Sequence, residues 1–166
     1  RFVQAESAAR YNPFNLLVAD ADDAYVVHPV ADTVHVQKLK PGVHLLTNLN
    51  LNDPECPRIA KSFQHFQQVM VGQLSHIPFS LSTLFHRLHA LLSDHTTALD
   101  PRRTDPRNGL CLHLDGYGTC SSSLLAYSAS QRHYIYQFAP GAPCQNTYSD
   151  VPLPTGPLAD QPPSTP

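Results

Sequence analysis

The side chains best suited to chemistry lie close together in residues 115–125, which read DGYGTCSSSLL. Gly116 and Gly118 allow positive φ and a close approach of the backbone to a bound molecule. The thiol and hydroxyl groups that follow offer a nucleophile and hydrogen-bond donors within one short segment. The sequence therefore predicts a polar pocket here, with Cys120 as a candidate nucleophile and a lining of Tyr117, Gly118, Thr119, Ser121 and Ser122.

Two interpretations of this segment stay open. In the first, backbone N–H groups and hydroxyls of residues 117–123 line a pocket and stabilise negative charge. In the second, the small residues only permit tight packing between sheets. Cys120 also has two interpretations. It is a nucleophile if His113 or His133 lies beside it and lowers its pKa, and otherwise it is a small buried hydrophobic residue.

Ten histidines and four cysteines offer metal ligands, but their spacing favours no metal site. His86 and His89 stand one helical turn apart, yet they flank an apolar stripe as solvent-exposed residues do, and no third ligand has matching spacing. The cysteines form no Cys-x-x-Cys pair and are expected to be reduced thiols. Proline at a helix start explains Cys56-Pro57 without haem, and turn chemistry explains the acidic residues around Asp20. We therefore expect no metal and no other cofactor.

The elements that position these groups follow the order strands, two helices, strands. Helical spacing of apolar residues predicts one helix from about Pro57 and a second from about Ser80 to Ser93. Their apolar faces should be buried against a sheet, and their polar residues exposed. The buried set is Phe63, Phe66, Leu84, Phe85 and Leu88, and the exposed set is Gln64, Gln68 and Arg87. The predicted strands are residues 14–20, 24–27, 33–39, 43–48, 110–114, 121–128 and 133–139. This order predicts an α+β fold of antiparallel sheets with two packed helices.

Length and composition predict one domain, residues 1–152, followed by a disordered proline-rich tail, residues 153–166. From Pro140 onward the proline content argues against regular structure. The formal net charge of -2 gives no electrostatic basis for binding nucleic acid. No apolar run approaches the roughly 18 residues that a transmembrane helix needs.

Four segments resemble the NRDE family, also called the transport and Golgi organisation 2 family, in the same order and at similar spacing. Residues 11–20, YNPFNLLVAD, are similar to the family's YNGFNLLVGD, and residues 39–48, LKPGVHLLTN, to its LxPGxxxLSN. Residues 51–59, LNDPECPRI, are similar to LDTPWPKV, and residues 117–123, YGTCSSS, to YGTRSST. Cys120 stands where the family pattern has arginine, so the charged donor of that position is missing.

The resemblance implies a four-layer αββα fold related to N-terminal-nucleophile hydrolases. The family's nucleophile position lies upstream of Arg1, so we expect an incomplete sandwich with an open sheet edge prone to self-association. A complete relative would hydrolyse amide or ester bonds. Asn48 at a strand end would then be an oxyanion donor, and Thr47 before it would line the same pocket. Otherwise Asn48 makes only a local backbone bond. The alternative is a non-catalytic carrier or trafficking protein for haem, lipid or acyl-CoA. We expect a cytoplasmic protein, with any targeting segment outside these residues.

Overall fold

The computed structural model describes residues 14–30, 33–47, 49–74, 80–96 and 105–153. The first sheet is antiparallel with strand order β1-β2-β3: β1 is Leu16–Ala19, β2 is Ala24–Val30 and β3 is Thr33–Lys38. The turn between β1 and β2 is held by Asp20, whose Oδ1 accepts the backbone N–H groups of Asp22 at 2.9 Å and Asp23 at 2.8 Å. The side chain of Asp20 therefore serves the turn, and β1 and β2 form an antiparallel hairpin.

The strand predicted at residues 43–48 is wrong over residues 43–47, which lie in a loop. The backbone groups of Leu45 bind Asn52 instead of a neighbouring strand. The Leu45 N–H donates to Asn52 Oδ1 at 2.7 Å, and the Asn52 N–H donates to the Leu45 carbonyl at 2.8 Å. Asn52 adopts a left-handed conformation with φ 54°, which asparagine tolerates better than most residues. The side chain of Asn52 thus supplies what a strand partner would have supplied.

Two helices follow, α1 at Pro57–Leu74 and α2 at Leu81–Leu92. Proline fits the first helical position of α1 because no N–H is required there. Ser80 caps α2, since its Oγ accepts the Thr83 N–H at 3.3 Å. Cys56, Ile59, Leu84 and Phe85 are buried.

The helices pack against each other, and α2 also reaches Pro143, whose carbonyl accepts a hydrogen bond from His89 Nε2 at 2.9 Å. The expectation that a sheet covers their apolar faces stays a prediction. The predicted apolar face is correct in direction: Leu84 and Phe85 are buried, while Phe63, Phe66 and Leu88 are half-buried. The predicted outer residues, Gln64, Gln68 and Arg87, are all exposed. In the described part of the chain, neither helix combines the length and apolarity needed to cross a membrane.

Asp94, just after α2, connects the helices to the second half of the chain. Its Oδ2 accepts from Lys61 Nζ at 2.9 Å, and its carbonyl accepts the Cys111 N–H at 2.9 Å. Desolvation raises the pKa of Asp94. Hydrogen bonds from the Thr96 backbone, Lys61 and the Thr96 hydroxyl together lower it by more, so the pKa lies below its ordinary value. The carboxylate is therefore charged in the folded protein and ties α1 to the exit of α2.

The second half contains two small antiparallel sheets. The first pairs β4, His113–Leu114, with β5, Tyr117–Gly118. The second has the order β6-β7-β8, with β6 at Ser122–Ser128, β7 at His133–Ala139 and β8 at Ser149–Asp150. The strand predicted at residues 110–114 thus shortens to β4, because Leu112 already bonds to Thr119 beyond the end of the ladder.

The prediction that no regular structure follows Pro140 was wrong for β8. Ser149 and Asp150 pair with Phe138 and Gln137, and the Val151 N–H donates to the Tyr136 carbonyl at 2.9 Å. The predicted disordered tail, residues 153–166, lies outside the described residues from position 154 onward. The α+β class is confirmed, with two helices and three small antiparallel sheets. The likeness to an incomplete αββα sandwich stays a prediction.

Candidate functional site

The β4–β5 hairpin positions the segment that the sequence predicted as a pocket. His113 lies opposite Gly118 and Leu114 opposite Tyr117, and Gly116 makes the turn with φ 66°. A Cβ on Gly118 would lie 2.7 Å from the Leu112 carbonyl oxygen, so only glycine fits there. This close approach is internal to the hairpin.

Thr119 also has an internal role. Its N–H donates to the Leu112 carbonyl at 3.0 Å, and its Oγ1 accepts the Leu112 N–H at 3.0 Å. The hydroxyl therefore takes the place of a backbone acceptor and extends the ladder beyond β4 and β5. These contacts favour tight packing over ligand binding at Gly118 and Thr119.

Cys120 is exposed, so the interpretation as a buried hydrophobic residue was wrong. Its Sγ lies 3.5 Å from the Gly118 carbonyl oxygen. His133 pairs with Ser128 at the far end of β6, six residues or roughly 20 Å from the end nearest Cys120. His113 places its Nε2 3.0 Å from Cys144 Sγ. Of the two histidines considered as bases for Cys120, His113 thus contacts Cys144 and His133 lies at the far end of β6.

The remaining predicted pocket residues differ in their contacts. Tyr117 and Ser121 are exposed, while Ser122 Oγ lies 2.5 Å from the Tyr148 hydroxyl. Ser123 Oγ lies 3.2 Å from the Tyr136 hydroxyl. The serines at the start of β6 are therefore partnered by tyrosines of the same sheet region.

Asn48, the predicted oxyanion donor, lies outside the described residues, but the residues on either side of it are held firmly. Asn15 Nδ2 donates to the Thr47 carbonyl at 2.5 Å and to the Leu49 carbonyl at 2.9 Å. The Leu49 N–H donates to Thr47 Oγ1 at 3.2 Å. Asn15 thus holds the carbonyl groups of both residues next to position 48. The convergence of Asn48 with residues 118–122 stays a prediction.

A cluster of metal-ligating side chains, which the sequence did not predict, lies beside β4. His95, Cys111, His113 and Cys144 each place one ligand atom within 4.8 Å of the others. Cys111 is buried at 1% exposure, whereas the other three residues are exposed. Desolvation and the neighbouring Cys111 thiol raise the pKa of the Cys144 thiol. The sequence signal was limited to the Cys-x-His pair at 111 and 113, because the other two ligands come from distant segments.

Comparison with known families decides the identity of the chain. The family model described as transport and Golgi organisation 2 matches residues 2–137. The chain belongs to the transport and Golgi organisation 2 family. The prediction made from the four sequence segments is thereby confirmed. Neither the curated proteins nor the solved structures gave a significant match.

In this family member, one side of the first sheet is lined mostly by apolar residues. Side chains of residues paired across strands share a face, and neighbours along a strand alternate. The pairing therefore places six residues on one side, which we call the apolar face: Leu16, Val18, Tyr25, Val27, Val34 and Val36. Leu16, Val18 and Val36 are 38%, 48% and 47% exposed, and only Val27 is buried.

A lysine, an aspartate and a tyrosine interact at the border of this face. Lys38 lies on the same side, with its Nζ 5.9 Å from the centroid of the Tyr25 ring and 2.5 Å from Asp23 Oδ1. Hydrogen bonds from Lys38 and Tyr25 lower the pKa of Asp23. His28 and His35 stack on the opposite face, with ring centroids 5.9 Å apart.

Proposed function

We propose that this member of the transport and Golgi organisation 2 family is a non-catalytic carrier that binds a long acyl chain on its apolar face. The observation that carries the proposal is the exposure of Leu16, Val18 and Val36 on one side of the first sheet. Removing such surface from water is favourable by about 25 cal/mol per Å². An acyl chain gains about 0.8 kcal/mol for each CH₂ group that it buries against the exposed side chains of β1 and β3.

The dimensions of the face suit an acyl chain. Neighbouring strands lie about 4.8 Å apart, so β1 and β3 are separated by roughly 10 Å across the face. Leu16 and Val18 are two residues apart on β1, which is about 7 Å along the strand. A narrow, flexible hydrocarbon can follow such a surface, and the ion pair of Lys38 and Asp23 lies at its border.

Haem fits the apolar face less well. Haem iron requires an axial ligand such as histidine, cysteine, methionine or tyrosine. The two histidines of this sheet, His28 and His35, lie on the opposite face. Tyr25 lies on the apolar face, but its hydroxyl donates to Asp23 Oδ2 at 3.1 Å. The chemistry of the face therefore favours a lipid chain.

The surroundings of Cys120 support binding without chemistry. A catalytic cysteine needs a neighbouring base or cation to generate its thiolate. Cys120 Sγ donates to the Gly118 carbonyl, which accepts a hydrogen bond but is no base that removes the thiol proton. His113, the nearer candidate along the hairpin, directs Nε2 to Cys144.

The test is a titration with a fluorescent long-chain fatty acid. Val18→Asp places a charge on the apolar face and should weaken binding at least tenfold. Leu17→Asp is the matched control, because Leu17 is the adjacent residue on the same strand, is 58% exposed and points to the opposite side. The control should bind within about twofold of the unmodified chain.

Three results would overturn the proposal. The first is no binding by the unmodified chain, and the second is an equal loss in both variants. The third is a dimer, seen in sedimentation, that forms through Val18 and binds no fatty acid. A second copy of the chain would then cover the apolar face.

Hydrolysis of amide or ester bonds is a second candidate, favoured by one observation. Asn15 fixes the carbonyl groups on both sides of position 48, which is how a precisely placed oxyanion donor would be supported. A panel of p-nitrophenyl esters and anilides tests it. The expected sign of an enzyme is turnover that falls at least tenfold in Asn15→Ala while fatty-acid binding is kept. That result would establish hydrolase activity and overturn the non-catalytic part of the first proposal.

A further inference from the structure

We propose that His95, Cys111, His113 and Cys144 form a tetrahedral binding site for Zn²⁺. Cys144 Sγ lies 3.0 Å from His113 Nε2 and 3.5 Å from Cys111 Sγ, and Cys111 Sγ lies 3.9 Å from His113 Nε2. The ligand atom of His95 completes a set whose members all lie within 4.8 Å of one another.

These separations match the coordination geometry of zinc. Zinc bonds of about 2.3 Å to sulfur and about 2.05 Å to nitrogen, at tetrahedral angles, separate the ligand atoms by about 3.4–3.8 Å. The observed separations depart from that range by about 1 Å or less, a distance that side-chain rotation covers. Thiolate and imidazole ligands together suit Zn²⁺, whereas Mg²⁺ and Ca²⁺ prefer oxygen.

The hydrogen bond of His95 sets its tautomer in a form ready for metal. His95 Nδ1 lies 3.0 Å from the Cys111 carbonyl oxygen. A carbonyl oxygen only accepts, so Nδ1 carries the hydrogen and donates it. The Nε2 atom is then unprotonated and has a lone pair for a cation. Metal-binding histidines regularly hold their second nitrogen in such a bond to a backbone carbonyl.

The ligands come from three segments that other contacts already hold together. His95 follows α2, Cys111 and His113 lie at the start of β4, and Cys144 lies in the loop between β7 and β8. The Cys111 N–H donates to the carbonyl of Asp94 at 2.9 Å, and His89 Nε2 donates to the Pro143 carbonyl at 2.9 Å. Each contact involves a residue next to a ligand, so the backbone around the cluster is positioned before any metal binds.

A site with four protein ligands and no open position is structural. Zinc here would cross-link α2 to both small sheets of the second half of the chain. The buried Cys111 forms the floor, and the exposed His95, His113 and Cys144 leave a path for the ion to enter. Binding replaces the protons of both thiols with the metal, so each Zn²⁺ bound as dithiolate releases those protons to solvent.

A disulfide between Cys111 and Cys144 is the competing use of the same atoms. All four cysteines are free, and the two sulfurs at 3.5 Å are well beyond the roughly 2.05 Å of an S–S bond. A disulfide would also leave both histidines without a role. The gathering of two nitrogen ligands around the sulfurs therefore favours the metal.

The experiment uses the whole chain, stripped of metal with a chelator and kept in a phosphine reductant. Zn²⁺ is titrated against a chromophoric competitor, and Co²⁺ is added separately as a spectroscopic probe. We expect one equivalent of Zn²⁺ to bind, a higher melting temperature, and the intense visible and thiolate charge-transfer bands of tetrahedral Co²⁺. Cys144→Ser should weaken Zn²⁺ binding at least a hundredfold.

Matched controls come from the same residue types outside the cluster. Cys120→Ser and His86→Ala alter exposed residues and should leave Zn²⁺ affinity within about twofold. Cys111 is 1% exposed, so its substitution can unfold the chain, and the exposed Cys144 therefore carries the test. Unchanged affinity in Cys144→Ser would overturn the proposal. So would a Co²⁺ spectrum without thiolate bands, or a Cys111–Cys144 disulfide whose reduction restores no metal uptake.

Discussion

Asn52 provides the sharpest test of how the loop at residues 43–52 is built. The perturbation is a pair of substitutions, Asn52→Gly and Asn52→Ala. Both remove the Oδ1 that accepts the Leu45 N–H at 2.7 Å and the amide that donates to His44 Nδ1 at 3.1 Å. They differ in the backbone, since φ is 54° at this position and glycine adopts that value freely.

The magnitudes follow from these two terms. Loss of the side-chain hydrogen bond to half-buried Leu45 should cost about 1 kcal/mol in either variant. Alanine in the left-handed conformation should cost roughly 1 kcal/mol more. We therefore expect Asn52→Ala to reduce the free energy of unfolding by about 2 kcal/mol, and Asn52→Gly by about 1 kcal/mol.

The assay is urea unfolding followed by circular dichroism, with Asn50→Ala as the control. Asn50 is exposed and two residues away, so its substitution should change stability by less than about 0.5 kcal/mol. Equal losses in Asn52→Ala and Asn52→Gly would refute the backbone part of the reasoning. No loss in either would mean that Leu45 finds another partner, as it would in a strand.

Three further predictions concern other parts of the chain. Asp94→Asn should cost about 1–2 kcal/mol at neutral pH. Folding lowers the pKa of Asp94, so its contribution to the free energy of unfolding is complete above the unfolded-state pKa and is lost as the pH falls through the folded-state pKa. The stabilities of the unmodified chain and of Asp94→Asn should therefore converge at acid pH. Phe85→Ala should cost about 3–5 kcal/mol and Arg87→Ala under about 0.5 kcal/mol in thermal unfolding, and comparable losses would mean that the apolar stripe is misassigned. Because Cys120 is exposed, iodoacetamide should alkylate it in the folded protein, and Cys120→Ser should leave stability within about 0.5 kcal/mol. Alkylation much faster than that of a small free thiol would instead indicate an activated nucleophile.

Local signals in the sequence predicted the elements whose cause is local. Turn chemistry at Asp20 gave the first hairpin, and Ser80 was correctly expected to begin the second helix. The family was also accessible, because four short segments keep their order along the chain. The hairpin turn and the helix start depend on residues within a few positions of one another, and each of the four family segments is itself short.

Features that depend on distant residues were missed. Residues 43–47 look like a strand, but Asn52 takes the hydrogen bonds of Leu45. The strand β8 forms only because β7 offers a free edge to Ser149 and Asp150. The metal cluster joins positions 95, 111, 113 and 144, a spacing that no short motif describes.

The predicted pocket at residues 117–122 illustrates the same limit. Its composition agrees equally well with a pocket and with tight packing. The contacts of Gly118 and Thr119 with Leu112 are what favour packing, and they exist only because the hairpin closes. Asn48 remains a candidate on the strength of its neighbours, both held by Asn15.

Native mass spectrometry with palmitoyl-CoA tests the central claim, binding without chemistry, most directly. The chain is incubated with the thioester, the complex is separated from free ligand, and the bound species is weighed. We predict one intact palmitoyl-CoA per chain, lost in Val18→Asp and retained in Leu17→Asp. Released CoA with free palmitate, or an acyl group covalently attached to Cys120, would contradict the carrier account and establish an enzyme.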